Sequence, residues 1–399
     1  MSSVPRILLS PPDVSYRERE ALLAAFDSNW ISTVGPAIDR FEHQMSEYLG
    51  RPCVALSSGT AAIHLALRLA GVQRGDVVLC QSFTFVASAN PILYEGATPF
   101  FIDSEPRTWN MDADLLEEAI RKLIRNGKQP RAAILVHLYG MPAESARIAS
   151  VCERYGVTLI EDAAESLGAR VDGKPTGCAG TAAAFSFNGN KIITTAGGGI
   201  LAFENERDAV LVRKWSTQSR EMAIHYEHCE LGFNYRMSNL LAAVGSAQLE
   251  GLADKVERRR QIAQYYRKAF QDVPELVMQA EWQNVYSTHW LSCVLIREPK
   301  RGRHAAAGSR RDALIRYLDQ QNIESRPLWK PMHIQPLFRD APYLGGTVCE
   351  ALFRDGLCLP SSSALTLEEQ NRVIDCIREF FNSEVCAGRV SDAVLGRVS

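Results

Sequence analysis

Long apolar runs are missing from this chain of 399 residues. No window approaches the roughly 18 uninterrupted apolar residues that a membrane-spanning helix needs, so no spanning segment is expected. Met1 to Ser10 carries no basic cluster followed by a long apolar stretch, so no secretory leader is expected and the cytoplasm is the expected compartment. An excess of charge is missing too. The 44 Lys plus Arg stand against 46 Asp plus Glu, a formal net charge of -2 that offers no footprint to nucleic acid or a membrane surface. Cysteines are few and scattered, at 53, 80, 152, 178, 229, 293, 349, 358, 376 and 386. They form no CxxC pair and have no clustered His at zinc spacing, so neither a disulfide framework nor a metal site is expected, only reduced core thiols. No GxGxxG string follows an apolar run, which removes the pyrophosphate turn that a nicotinamide-dependent oxidoreductase requires.

What is present suits a large catalytic domain carrying a smaller one. Apolar residues make up 46% of the chain and charged residues 23%, enough to bury a sizeable core. From residue 50 to about 205, short apolar runs alternate with helical patterns, the signature of a mostly parallel α/β sheet with helices on both faces. Seven runs read as strands: Cys53 to Leu56, Val77 to Cys80, Thr98 to Asp103, Ala132 to Leu138, Val157 to Asp162, Ala182 to Phe187 and Gly199 to Phe203. Ligands of such sheets sit beyond the carboxyl ends of the strands, so the residues just after these runs are the ones to question.

Ser238 to Phe270 reads as one helix bridging two domains, and its Arg258-Arg259-Arg260 triplet as a solvated face. Pro299 to Arg311 reads as a mobile surface loop. The expected division is a large domain over 1–250, a small α+β domain over 251–382 and a patternless tail over 383–399.

Three places could carry chemistry. Ser57-Ser58-Gly59-Thr60 leaves a strand and opens the apolar helix Ala61 to Leu69. Unpaired N–H groups, a positive dipole end and hydroxyl donors could hold a phosphate there, although Ser and Thr are also ordinary helix caps. His64 and Arg68, four apart on that helix, read as packing or surface residues. Glu161-Asp162 ends an apolar strand, where a partly desolvated Asp162 needs a cationic partner: an Arg or a protonated ligand nitrogen. Lys191 lies in a turn beyond a buried strand, in FSFNGNK, where poor solvation would free its amine to attack a carbonyl, although taken alone it also reads as an ordinary solvated lysine. Phosphate cup, acidic partner for a ring nitrogen and imine-forming amine together describe a site for pyridoxal 5'-phosphate. Gly197-Gly198-Gly199 reads as an ordinary flexible turn rather than a ligand contact.

The strings SSGTAAIHLAL, QSFTFVASANPI, LIEDAAESLGA, FSFNGNKIITTAGGG and LGFNYRMSNL, in this order, resemble the DegT/DnrJ/EryC1/StrS family of nucleotide-sugar aminotransferases. The resemblance covers roughly residues 8 to 380 and implies the aspartate-aminotransferase fold, fold type I of the pyridoxal phosphate enzymes, with a seven-stranded sheet and a smaller C-terminal α+β domain. Within the family, NGNKIITTAGGG and RPLWKPMH are similar to the subgroup that aminates the 4-keto carbon of UDP-2-acetamido-2,6-dideoxy sugars for bacillosamine-type glycans.

The resemblance further implies that Lys191 joins the cofactor's aldehyde and later moves a proton, while Asp162 pairs with the pyridine nitrogen. Phe85 would stack on the ring. Ser58, Gly59, Thr60 and Ser186 would hold the phosphate, and Glu165 would stand near the phenolic oxygen, where many relatives have Gln or His. Asn234 is similar to the residue that reaches the neighbouring subunit's phosphate, which implies a homodimer with shared sites. For the UDP-sugar, the implied contacts are Thr33, Gly35, Asn188, Arg236, Arg326, Trp329, Lys330 and His333, of which Arg236 and His333 could equally be structural. The expected amino donor is L-glutamate. Other nucleotides (dTDP or GDP), the opposite C4 stereochemistry and a non-catalytic cofactor-binding regulator are the alternatives.

Overall fold

The computed structural model describes residues 4–297 and 310–395, with side chains through residue 383. All seven expected runs are strands, within two residues of their expected ends: Cys53–Leu56, Val77–Gln81, Thr98–Ile102, Ala132–Val136, Thr158–Asp162, Ala182–Ser186 and Gly199–Phe203. The sheet nevertheless has eight strands, not seven. The addition, Tyr343–Leu344, lies parallel to Thr98–Ile102, with the Phe101 and Asp103 amides donating to the Pro342 and Leu344 carbonyls. Two residues are too short to show periodicity, so only the tertiary pairing reveals them.

Across the sheet the strands run in the order Cys53–Leu56, Gly199–Phe203, Ala182–Ser186, Thr158–Asp162, Ala132–Val136, Val77–Gln81, Thr98–Ile102, Tyr343–Leu344. Gly199–Phe203 is antiparallel to both its neighbours and every other pairing is parallel. The carboxyl ends of seven strands and the amino end of the eighth therefore share one edge. Near-continuous apolar runs follow from burial on both faces. Cys53 and Ala55 pack with Ile38, Phe41 and Met45 of the helix Pro36–Leu49, while Val54 and Leu56 pack with Ala62, Ile63 and Leu65 of the helix Gly59–Leu69. Phe41 is fully buried with its ring edge against Phe187, centroids 5.2 Å apart. Its truncation to Ala would cost about 3–5 kcal/mol.

A second, antiparallel sheet orders Leu276–Met278, Ser292–Ile296, Gly356–Leu359 and Arg326–Pro327. Its core joins Ile262, Tyr266, Val294, Leu314, Leu318, Val373 and Ile377, and takes in Ile7 from the far end of the chain. The Ile7 amide donates to the Asn322 carbonyl at 2.9 Å, a contact that a division at residue 250 does not anticipate.

Several local expectations need correction. The single helix over Ser238 to Phe270 is two, Asn239–Glu250 and Leu252–Ala269, parted at Gly251, where the backbone leaves helical geometry. The arginine triplet is not a solvated face. Consecutive helical residues point about 100° apart, so three in a row cannot share one exposure. Arg259 is buried and donates to the Trp290 and Ser361 carbonyls at 2.6 and 2.8 Å; Arg258 donates to Leu365 and Arg260 pairs with Glu281. Of the expected loop, residues 299–309 lie outside the described residues, and Arg310 and Arg311 open the helix Arg310–Gln320. The tail is not patternless, because the last helix continues from Leu367 to Leu395 with no proline to stop it. Cys229 is exposed rather than a core thiol, and the side chain of Cys386 lies outside the described residues.

Candidate active site

The shared strand edge encloses a cavity of about 340 Å³. Strand ends deliver its walls: Ser57 and Ser58 after the first strand, Thr84 and Phe85 after Val77–Gln81, Asp162 and Glu165 after the fifth, and Ser186, Asn188 and Lys191 after the sixth. Of the residues named from sequence, Ser58, Gly59, Thr60, Phe85, Asp162, Glu165, Ser186, Asn188, Lys191 and Trp329 meet here.

At one end stands the start of the helix Gly59–Leu69, where backbone N–H groups lack intrahelical partners. The Ser58 hydroxyl is the cap, accepting the Ala61 N–H at 3.0 Å, so capping and cavity lining coexist in one residue. Gly59 is required by packing. A Cβ there would lie 3.0 Å from the Ser186 Cβ, and its absence brings the helix start against Ser186. The glycine run is likewise not a flexible turn. A Cβ on Gly199 would meet the Ser58 carbonyl carbon at 2.6 Å, while Gly197 and Gly198 line the cavity.

At the other end are the charges. Asp162 is buried, accepting from Ser88 Oγ at 2.6 Å and from the Ala164 amide at 3.1 Å; among the described residues no Arg, Lys or His pairs with it. Lys191 Nζ lies 3.8 Å from Glu165 Oε1 and 4.2 Å from the centre of the Trp290 ring. Glu165 is buried, with the Tyr139 amide donating to Oε2 at 2.7 Å. Burial pushes its carboxyl above the usual range, opposed by the Lys191 charge. Tyr139 holds a left-handed backbone, φ 55°, a conformation that costs about 1 kcal/mol or more and marks a constrained position. Its ring is stacked between Trp290 and Trp329, at 6.3 and 6.1 Å.

These rings form the wall toward a second cavity of about 620 Å³, lined also by Leu8, Pro11, Arg326, Lys330 and Phe353. Arg326 is exposed and 3.0 Å from Glu324 Oε1.

Other named residues line neither cavity. Arg236 is committed to Glu42 and to the Ala55 carbonyl, and His333 lies between Ser82 Oγ at 2.7 Å and Glu350 at 3.2 Å while stacking on Tyr343. Within one chain both are structural. Thr33 and Asn234 are exposed, and Gly35 is buried at the head of the helix Pro36–Leu49. His64 and Arg68 are packing residues as expected: His64 lies 3.1 Å from Glu95, and Arg68 lies over the Trp215 and Phe233 rings. Sequence reasoning missed Trp290, Tyr139, Asn190, Thr84 and Ser88. The last two lie inside the quoted QSFTFVAS string and Asn190 inside FSFNGNK; Trp290 and Tyr139 sit in stretches without a motif.

The donor set fits pyridoxal phosphate: a helix start with Ser186 for a phosphate, an uncompensated buried carboxylate for a protonated ring nitrogen, an amine for an aldehyde, and an aromatic face at Phe85. Among the described residues no cluster of His, Cys, Asp and Glu could hold a metal, and no helix is long and apolar enough to cross a membrane.

Comparison with known proteins agrees with this geometry. Residues 12–378 match the model of the DegT/DnrJ/EryC1/StrS aminotransferase family. EpsN of Bacillus subtilis (strain 168), designated a pyridoxal phosphate-dependent aminotransferase, is 48% identical over 383 residues, 95% of this chain and 96% of that protein. GDP-perosamine synthase of Caulobacter vibrioides is 37% identical, over 94% of this chain and 98% of its own length. The crystal structure of a DegT DnrJ EryC1 StrS aminotransferase from Brucella abortus superposes with a TM-score of 0.84 at 30% identity, covering 92% of this chain and 95% of that one.

Proposed function

We propose, from the premise that this chain belongs to the DegT/DnrJ/EryC1/StrS aminotransferase family and is a pyridoxal phosphate-dependent sugar aminotransferase, that it moves an amino group from L-glutamate to a 4-keto sugar. The acceptor is a UDP-2-acetamido-2,6-dideoxy-4-keto-hexose of bacillosamine-type glycan synthesis, and the reaction runs in the cytoplasm, where activated sugars and amino acids are available. When bound, the cofactor supplies an aldehyde that takes up the amino group and a ring that accommodates the charge left when an amino acid loses its α-proton.

The chain's own residues do the rest. The amides of Gly59 and Thr60, with Ser186, hold the phosphate at the positive end of the helix. Asp162 would pair with a cationic ring nitrogen, and Phe85 would cover the ring face. Lys191 Nζ holds the cofactor at rest, takes the α-proton from the donor and returns a proton to the sugar carbon. Glu165, which lines the cavity, would stand beside the cofactor's phenolic oxygen. Asn188 and Trp329 border the sugar, while Arg326 and Lys330 in the second cavity meet the two phosphates. Thr33 and Asn234, both exposed, act across a homodimer interface, toward the neighbouring copy's site, while Arg236 and His333 keep structural roles. Supporting this, the segment that leads to Asn234 leaves Met222, Ile224 and Tyr226 in solvent in a single chain, a surface that suits a second copy.

One observation carries the reading: Lys191 Nζ in a cavity that also holds Glu165 and an Asp162 with no cationic partner. Purified holoenzyme with L-glutamate and a panel of nucleotide keto-sugars should release 2-oxoglutarate with the UDP-linked acetamido sugar. A GDP-linked 4-keto sugar is the second reading, favoured by the 37% identity to GDP-perosamine synthase. Turnover with GDP sugars alone would select it.

A further inference from the structure

Asp162 is held by one hydroxyl that a second hydroxyl backs, and the proposed reaction gives neither a role. Ser88 and Thr84 lie in the segment that leaves the strand Val77–Gln81, and they are 0% and 1% exposed. Ser88 Oγ is 2.6 Å from Asp162 Oδ2 and 2.7 Å from Thr84 Oγ1. An ionised carboxylate can only accept, so the single Ser88 hydroxyl proton goes to Asp162. Thr84 must then donate to Ser88. Counting protons thus fixes the direction of the chain, from Thr84 through Ser88 to Asp162.

The effect on the carboxylate is specific. Its other oxygen accepts the Ala164 amide at 3.1 Å, so each oxygen is gripped once, from a different loop. The remaining lone pairs are left to the cavity that Asp162 lines. Neutral donors fix the carboxylate's orientation without cancelling a charge, as an Arg or Lys would. Relayed hydroxyls polarise one another, which strengthens the terminal bond.

We propose that Ser88, backed by Thr84, is a positioning residue that keeps the Asp162 carboxylate oriented into the cavity. The inference rests on the reading of Asp162 as the partner of the cofactor's ring nitrogen. The test uses holoenzyme of the native chain and of Asp162→Asn, Ser88→Ala and Thr84→Val, with four readouts: the visible absorption spectrum of the bound cofactor, its dissociation constant, kcat and KM.

Ser88→Ala is expected to lower kcat about 10- to 100-fold with the sugar KM nearly unchanged, the loss of one hydrogen bond to a charged group. It should also move the absorption band and weaken cofactor binding in the same direction as Asp162→Asn. Thr84→Val, equal in shape, should do the same to a smaller degree. A native spectrum and kcat in Ser88→Ala, with Asp162→Asn impaired, would overturn the positioning role. If Ser88→Ala does not fold, a native spectrum in Thr84→Val overturns it instead. An Asp162→Asn holoenzyme with native spectrum and turnover would overturn the underlying reading of Asp162, a distinct result.

Discussion

Glu161 and Asp162 are neighbours on one strand, both buried, and they end in different regions with different tasks. Alternation sends them to opposite faces of the sheet. Glu161 enters a closed knot. Oε1 accepts the Ala179 and Gly180 amides at 2.7 Å each, and Oε2 accepts the Gly177 amide at 3.1 Å and meets His137 Nε2 at 2.8 Å. Burial raises its carboxyl, but His137 and these amides outweigh that and hold it below the usual range. Asp162 has two donors and an open cavity in front of it. A buried charge whose lone pairs are all met is scaffold, whereas one left partly unmet beside a cavity waits for a ligand.

The largest expected effect separates the two by activity. Asp162→Asn should lower kcat about 1,000-fold, the scale for losing a preorganised electrostatic contact, with little change in melting temperature. Glu161→Gln should do the reverse. Its amide NH2 would confront the Ala179 and Gly180 donors, costing about 3 kcal/mol of stability on thermal unfolding while the folded fraction stays active. Equal activity losses in the two variants would dissolve the contrast.

Acid titration sharpens it. The folded-state pKa of Glu161 is depressed, so its contribution is fully present above the unfolded value of about 4.3 and is lost as pH falls through the folded value. The melting temperature of Glu161→Gln should therefore fall less steeply in acid than that of the native protein. Glu165 has the opposite sign. Burial raises its pKa, so its contribution is present below the unfolded value and lost as pH rises through the folded one. Cofactor-free Glu165→Gln should gain on the native chain as pH is raised, followed by the same melting measurement. The smallest effect is expected at Arg326, exposed and paired with Glu324. Arg326→Ala should raise the sugar KM about threefold and leave stability within about 0.5 kcal/mol.

The strand edge and most of the cavity were legible in the sequence, because buried parallel strands write themselves as apolar runs and the site lies just beyond their ends. Asp162 and Lys191 need no more than that, whereas Ser186 enters only through the family resemblance. What was not legible comes from packing between distant segments. The strand Tyr343–Leu344 exists only through its neighbour, and the second sheet recruits Ile7 from the chain's far end. Arg259 is buried because Trp290 and Ser361 offer it carbonyls from about 30 and 100 residues away in sequence. Arg236 was readable as a substrate contact by position, yet Glu42, far away in sequence, claims it. Trp290, whose ring lies against the Lys191 amine, sits in no motif at all.

The central prediction is that the amine of Lys191 carries the cofactor covalently at rest. Borohydride reduction of the holoenzyme, followed by proteolysis and peptide mass mapping, tests this most directly. The prediction is one pyridoxyl-modified peptide containing Lys191, absent from Lys191→Ala; an unmodified Lys191, or the label on another lysine, would contradict it.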